Sequence, residues 1–223
     1  MHNLLQINSI CAIYLFMIYK IHAINSEIGP ALISHFKTEH LANSWIASRI
    51  ALKKCLSEYL GLQLELDIKL PDDFELLSLA NYSKLINFPA VNISISHTKN
   101  IGAACCNGSA RHIGVGIDIE LAQRKISSGI ERKAINPADN SSANLLEIWS
   151  MKEAAFKALD PIKEQFGIGD RQLVLQDISI LDKKFALYTD GQISDAIGEL
   201  NYQQIETAGQ TLIVATAQIT RRD

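Results

Sequence analysis

Apolar and polar positions follow two different periods along the chain, and the switches between them mark its elements. Residues 9–22 carry an apolar run rich in β-branched and aromatic side chains, which fits a buried strand. Across 34–60 the period lengthens: Trp45, Ile46, Ile50, Leu52, Leu56, Tyr59 and Leu60 recur mostly at three- and four-residue spacing, the mark of an amphipathic helix. Gly61 follows as a stop signal. Residues 62–70, "LQLELDIKL", alternate strictly and predict a strand, which Pro71-Asp72-Asp73 ends. Alternation returns over 90–96, 101–106 and 113–120. The polar stretch 123–142, with Ser127-Ser128-Gly129 and Asn136-Pro137, predicts a loop. A helix is predicted over 145–159, closed by Asp160-Pro161. Beyond it come short strands over 173–180, 184–189 and 211–219, with a helix or turn near 195–200.

Each half thus holds a helix and several strands, and the seam falls near 110–115. The expected class is α+β, with helices packed on small antiparallel sheets, and the expected subdomains are 1–112 and 113–223.

Composition narrows the function. The chain has 223 residues, 48% of them hydrophobic, 20% charged, with net charge −3. That predicts a packed globular core and excludes wholesale disorder, and it removes bulk charge as a means of holding nucleic acid. The four cysteines, Cys11, Cys55, Cys105 and Cys106, form no CxxC pair and lack histidines at zinc-ligand spacing. Cys105 and Cys106 point to opposite faces of a strand, so buried, reduced thiols and a cytoplasmic location are expected. The apolar N-terminal run has the outline of a leader peptide, but no Lys or Arg precedes it and Lys20 follows it; a buried strand is the preferred reading.

The candidate chemistry starts at "GVGIDIE". In a strand, Gly116, Asp118 and Glu120 share a face, the carboxylates about 6.8 Å apart. Such a pair repels itself unless a cation lies beside it, and a hard ion such as magnesium suits oxygen ligands. The glycines on that face leave room for a ligand. A strand end running into solvent fits the same residues. In "LLEIWSMKEAAFKALD", Trp149, Glu153 and Lys157 lie four apart on one helical face, with Lys152 and Phe156 at its borders. A surface salt bridge would explain Glu153 and Lys157, but Trp149 on the same stripe predicts partial burial, which a metal-bound phosphate would justify. In "SISHT", Ser96 and His97 end a strand just before Lys99, which suits a phosphate clamp; a lone histidine in a turn fits the same residues, and on this segment alone fits them better.

Together, "SISHT" (94–98), "GIDIE" (116–120) and "WSMKEAAFKAL" (149–159) resemble the motifs of the 4′-phosphopantetheinyl transferase superfamily. The length and the upstream "ANSWIASRIALKK" (42–54) resemble its larger, pseudo-dimeric class, which activates carrier proteins of peptide and polyketide synthases. The resemblance implies two similar α/β subdomains related by a pseudo-twofold axis, with the active site at their seam. The N-terminal half would bind coenzyme A; the C-terminal half would hold the metal and receive the carrier protein. It implies transfer of the phosphopantetheine arm of coenzyme A to a serine of an apo acyl or peptidyl carrier protein, releasing adenosine 3′,5′-bisphosphate. Asp118, Glu120 and Glu153 would ligate Mg²⁺, with Mn²⁺ as a substitute. Glu153 would take the serine proton and Lys157 would stabilise the departing phosphate. Arg49, Ser96, His97 and Lys157 would contact the coenzyme. Lys84, twelve residues before Ser96, resembles a nucleotide-contacting lysine, here without its flanking Gly and Pro. Lys37 is a further basic candidate. Arg124, Lys125, Arg132 and Lys133 would help receive an acidic carrier. The resemblance also implies a monomer. A catalytically silent homologue that binds coenzyme A or carrier protein, and a magnesium-dependent nucleotide phosphohydrolase, are the alternatives.

Overall fold

A computed structural model describes residues 17–24, 36–61, 63, 79–81, 83–108 and 111–221. The predicted strand over 62–70 lies outside the described residues apart from position 63, as does the first part of the predicted strand over 9–22. Two antiparallel sheets, each covered by one long helix, make up the rest. The first sheet runs in the order β1-β5-β4-β3-β2, with β1 Ile18–Ala23, β2 Leu79–Asn81, β3 Lys84–Leu85, β4 Asn92–Thr98 and β5 Ile101–Asn107. The second runs β6-β11-β10-β8-β7, with β6 His112–Leu121, β7 Ile178–Leu181, β8 Lys184–Thr189, β10 Gly198–Thr207 and β11 Gln210–Thr220; the short β9 Gln192–Ile193 pairs with β8. The α+β class and the division into two helix-on-sheet units agree with the sequence reading. Among the described residues no helix is long and apolar enough to cross a membrane.

Helix α1, Glu39–Leu60, starts where the Thr38 hydroxyl accepts the Leu41 N–H at 3.2 Å and stops at Gly61, whose φ of 66° suits glycine. It buries Ala51, Leu52, Cys55 and Leu56 against Ile93, Ala104 and Cys106 of the first sheet. The opposite face of that sheet, through Tyr19, Ile101, Ala103 and Cys105, meets Val115, Ile117, Ile119 and Val214 of the second. Cys105 and Cys106 therefore enter different cores, and both are buried free thiols, as is Cys55. Helix α3, Leu145–Leu159, covers the far face of the second sheet, where Met151, Ala155 and Leu159 pack with Phe185, Ala215 and Ile219. Asn144 caps it, accepting the Leu146 and Glu147 N–H groups at 3.0 and 3.1 Å, while Glu147 accepts the Asn144 N–H at 2.8 Å.

The helix predicted over 145–159 ends at Leu159 with Asp160 as its cap, as expected, and a 3₁₀ segment, Asp160–Phe166, follows, because a proline at the start of a helical turn loses only an N–H that has no partner there. Three local expectations need correction. Within the expected loop 123–142 lies a short helix, α2, Ser128–Ala134; Ser127 caps it rather than breaking it. Over 173–180 the strand begins only at Ile178, after a 3₁₀ turn, Leu175–Asp177. The helix or turn expected near 195–200 is instead the start of β10, which pairs with β11 from Glu199↔Gln218 to Thr207↔Gln210. Its apolar residues Leu200, Tyr202 and Ile205 do not keep a period of two, so alternation concealed it.

A half-buried base joins β1 to α1. Lys54 Nζ donates to His22 Nδ1 at 3.1 Å, so that nitrogen carries no proton. Burial, and then the Lys54 charge, push His22 down to about 4. The unfolded chain, with histidine near its usual value of about 6.5, binds more protons between those limits. Stability should therefore fall as pH drops from about 6.5 to about 4; His97 and His112, also lowered by burial, act in the same direction. Urea midpoints measured across this range should slope less in His22→Gln than in the parent. An unchanged slope would remove His22 from the account.

Candidate active site

The site is built where α3 lies along β6. Two residues of strand advance about 6.8 Å and four residues of helix about 6 Å, so the two elements keep step. A Cβ on Gly114 would lie 2.2 Å from the Ala158 carbonyl oxygen, and one on Gly116 would lie 1.9 Å from that of Ala154. The next step pairs Asp118 with Ser150, whose hydroxyl donates to Asp118 Oδ2 at 3.0 Å. The room expected for a ligand beside Gly116 is thus taken by helix backbone. The glycines set the depth at which α3 seats, and Asp118 and Glu120 emerge where glycine gives way to longer side chains.

The other flank comes from β4. β6 is an edge strand of its own sheet, and its outward amides need acceptors. Ser94 Oγ accepts the Ile117 N–H at 3.1 Å and Ser96 Oγ the Ile119 N–H at 3.3 Å. Ser96 also donates to Asp118 Oδ1 at 2.9 Å. Lys157 Nζ donates to the same oxygen at 2.9 Å and to the Ile117 carbonyl at 3.0 Å. Asp118, 5% exposed, is therefore held by donors from β4 and α3 together. Ser94 and Ser150 escaped the sequence reading. Their signal was the same-face pairing of Ser94 with Ser96, and a serine one turn before an alanine facing glycine.

Glu120 forms an ion pair with Arg124, whose guanidinium also lies over the Trp149 ring at 5.9 Å. Burial raises the Glu120 carboxyl above the usual range; the Arg124 hydrogen bond opposes it and the Asp118 charge adds to it. Glu153 is raised as well, first by burial and then by the Asp118 charge, with Lys157 opposing. The Asp118 charge thus raises both glutamates. The oxygens do not converge, however: among the described residues no three acidic, histidine or cysteine side chains are grouped closely enough to hold an ion. The donor set itself, three carboxylates near the end of one strand and on the facing helix, has the chemistry that suits a hard divalent cation.

The basic side comes from α1 and the end of β4. His97 is lowered by burial and by the positive charges of Lys157, His40 and Arg49, with Asp118 opposing. Arg49 lies over the Trp45 ring at 5.1 Å, and burial lowers it to about 10. Its Nε is buried and has no hydrogen-bond partner among the described residues. A buried N–H with nothing to donate to is the state an anion would relieve.

Arg49, Ser96, His97, Asp118, Glu120, Glu153 and Lys157 are thereby gathered at one end of the seam. Lys84 is not. It pairs with Asn92, five residues along β4 from His97, about 17 Å away. There it lines a cavity of about 100 Å³ with Gly114 and Ala158, at the opposite end of the β6–α3 contact. β3 joins the sheet beside Asn92, and sequence spacing alone could not reveal which end of β4 that is. Lys37 is exposed ahead of α1. Of the basic residues in 123–142, Arg124 is turned onto Glu120, while Lys125, Arg132 and Lys133 are exposed.

Beside Glu153 opens an apolar groove of about 420 Å³, lined by Ile130, Lys133, Trp149, Phe156 and the 44%-exposed Val174. One wall is α2. Lys152, fully buried, holds this region to α3 by an ion pair to Asp139 at 2.7 Å and a hydrogen bond to the Ala134 carbonyl at 2.6 Å.

Residues 114–207 match the family model of the 4′-phosphopantetheinyl transferase superfamily. The match begins at Gly114, one of the two glycines that seat α3, and takes in Asp118, Glu120, α2, α3 and all of β10. No curated protein matches the chain.

Proposed function

With residues 114–207 forming a 4′-phosphopantetheinyl transferase superfamily domain as the premise, we propose that the chain transfers the phosphopantetheine arm of coenzyme A to a serine of an apo acyl or peptidyl carrier protein. The observation that carries this reading is Asp118 and Lys157 joined across the β6–α3 contact, with the unpartnered Arg49 edge and His97 on one side and Glu153 with its groove on the other.

The coenzyme's phosphates would lie against Arg49, His97 and Lys157, in the half formed by 1–112 and the helix it faces. Asp118, Glu120 and Glu153 would hold Mg²⁺, or Mn²⁺ in its place, which would neutralise the diphosphate and fix its geometry. The carrier would approach along the groove, where exposed Lys133 and Arg132 complement an acidic surface. Glu153 takes the proton of the carrier's serine: it lines the groove along which the carrier would approach, and burial raises its carboxyl above the usual range. The serine oxygen bonds to the phosphorus that carries the pantetheine arm. The bond from that phosphorus to the bridging oxygen breaks, and adenosine 3′,5′-bisphosphate leaves with the electron pair. Lys157 stabilises the charge that develops on it. Both parts of the site come from one chain, which supports a monomer, and the buried free thiols Cys55, Cys105 and Cys106 support a reducing, cytoplasmic setting.

Nucleotide release tests the reaction class. Adenosine 3′,5′-bisphosphate should appear only when apo carrier is present, in step with carrier loading. Release without carrier would make the protein a hydrolase, and no release with any apo carrier would make it a silent homologue. Lys157→Ala should lower kcat by about a hundredfold or more while changing the Kd for coenzyme A by less than about tenfold. Equal losses would recast Lys157 as a binding residue.

A further inference from the structure

Arg124 plays no part in the reaction described above, yet it occupies one of the three carboxylates that reaction needs. We infer that Arg124 is a displaceable counter-ion, which holds Glu120 while the divalent ion is absent and must release it when the ion binds; this rests on the metal reading of the Asp118 site.

The geometry is specific. Glu120 ends β6 with its side chain 9% exposed, whereas the Arg124 side chain, four residues on, is 40% exposed. The turn between them is pinned by the Arg124 N–H to the Leu121 carbonyl at 2.8 Å. The backbone of the turn is held, so the more exposed arginine side chain is the partner that can move out into water. Lys157 differs: it is 23% exposed and tied to a backbone carbonyl as well as to Asp118. Two cations thus serve three carboxylates, and among the described residues no salt bridge reaches Glu153.

A cation held by Asp118, Glu120 and Glu153 would compete with the Arg124 guanidinium for the Glu120 carboxylate. The exchange breaks a guanidinium–carboxylate pair and forms a metal–oxygen contact, with the guanidinium taken up by water. The Trp149 ring gives Arg124 a second place to rest, since a guanidinium keeps its attraction to an aromatic face after losing its carboxylate. Metal affinity of the resting protein is then held down by the pair, and restoring Glu120 is part of what metal binding must accomplish.

Calorimetric titration of the full chain with Mn²⁺ at low ionic strength tests this without any turnover. The parent, Arg124→Gln, Glu120→Gln and the double variant form a cycle. Arg124→Gln should tighten Mn²⁺ binding about fivefold in the parent, the size of a surface-to-half-buried ion pair. In the Glu120→Gln background the same change should have less than about a twofold effect. Equal tightening in both backgrounds would mean that Arg124 acts only as a nearby charge, and would overturn the proposal. Unchanged or weaker binding in Arg124→Gln would overturn it too. The wider metal reading fails separately: if the parent binds no Mn²⁺, that reading is lost and the proposal falls with it.

Discussion

Asp118→Asn should lower kcat/KM for carrier modification by about a thousandfold or more, equivalent to about 4 kcal/mol of transition-state stabilisation. The substitution keeps the size of the side chain and removes two properties at once. One is charge: Lys157 loses its carboxylate, and Glu120 and Glu153 lose the neighbour that helps raise them. The other is acceptor capacity. Asp118 accepts from Ser96 and Lys157 on Oδ1 and from Ser150 on Oδ2, and an amide offers only one acceptor oxygen. Ser150, 0% exposed, or the Lys157–Ser96 pair is left facing an N–H₂ group. That costs about 1–3 kcal/mol of stability, visible as a lower urea midpoint. Activity close to the parent's at saturating Mg²⁺ would remove Asp118 from the reaction.

Gly116→Ala is expected to give the largest loss of stability. The added Cβ meets the Ala154 carbonyl oxygen at 1.9 Å and its carbon at 2.8 Å. Both atoms belong to the backbone of α3, so no side-chain rotation relieves the overlap and the helix must rise from the sheet. Overpacking of that kind costs about 3 kcal/mol or more, a fall of about 6–12 °C in melting temperature for a chain of this size. The lifted helix would also draw Ser150 and Lys157 away from Asp118, so activity should fall even where the variant stays folded. Gly129→Ala is the control: the nearest atom to its Cβ is 3.9 Å away, and its melting temperature should not fall. Similar behaviour of the two variants would refute the claim that the glycines set the helix depth.

Much of the site was legible because its residues sit on regular elements. Alternation in "GIDIE" put Asp118 and Glu120 on one face, and helical spacing put Glu153 and Lys157 on the side of α3 that meets them. Gly114 and Gly116 were visible but misassigned, since a strand glycine admits either a ligand or a second backbone and only the tertiary structure decides. The place of Lys84 in the sheet was not legible because distance along the chain does not say which end of a strand a partner joins. Ser150 hid because a lone serine in a helix carries no periodic signal; its role exists only through the step-matching of α3 and β6. Arg124 was grouped with the basic residues expected to receive a carrier, and its turn onto Glu120 depends on a bend at residues 121–124 that the sequence does not specify. The strand β10 hid for the opposite reason: its pairing with β11 is fixed by backbone hydrogen bonds while its side chains are mixed on both faces.

The central claim is that the Asp118–Lys157 centre moves a phosphopantetheine arm from coenzyme A onto a carrier serine. Intact-protein mass spectrometry of apo carrier proteins incubated with the enzyme, coenzyme A and Mg²⁺ tests it most directly. A carrier should gain the mass of one phosphopantetheine arm, and should gain nothing when its acceptor serine is replaced by alanine or when Asp118→Asn enzyme is used. A panel of carriers whose masses never change, although the enzyme is folded and binds coenzyme A, would contradict the account.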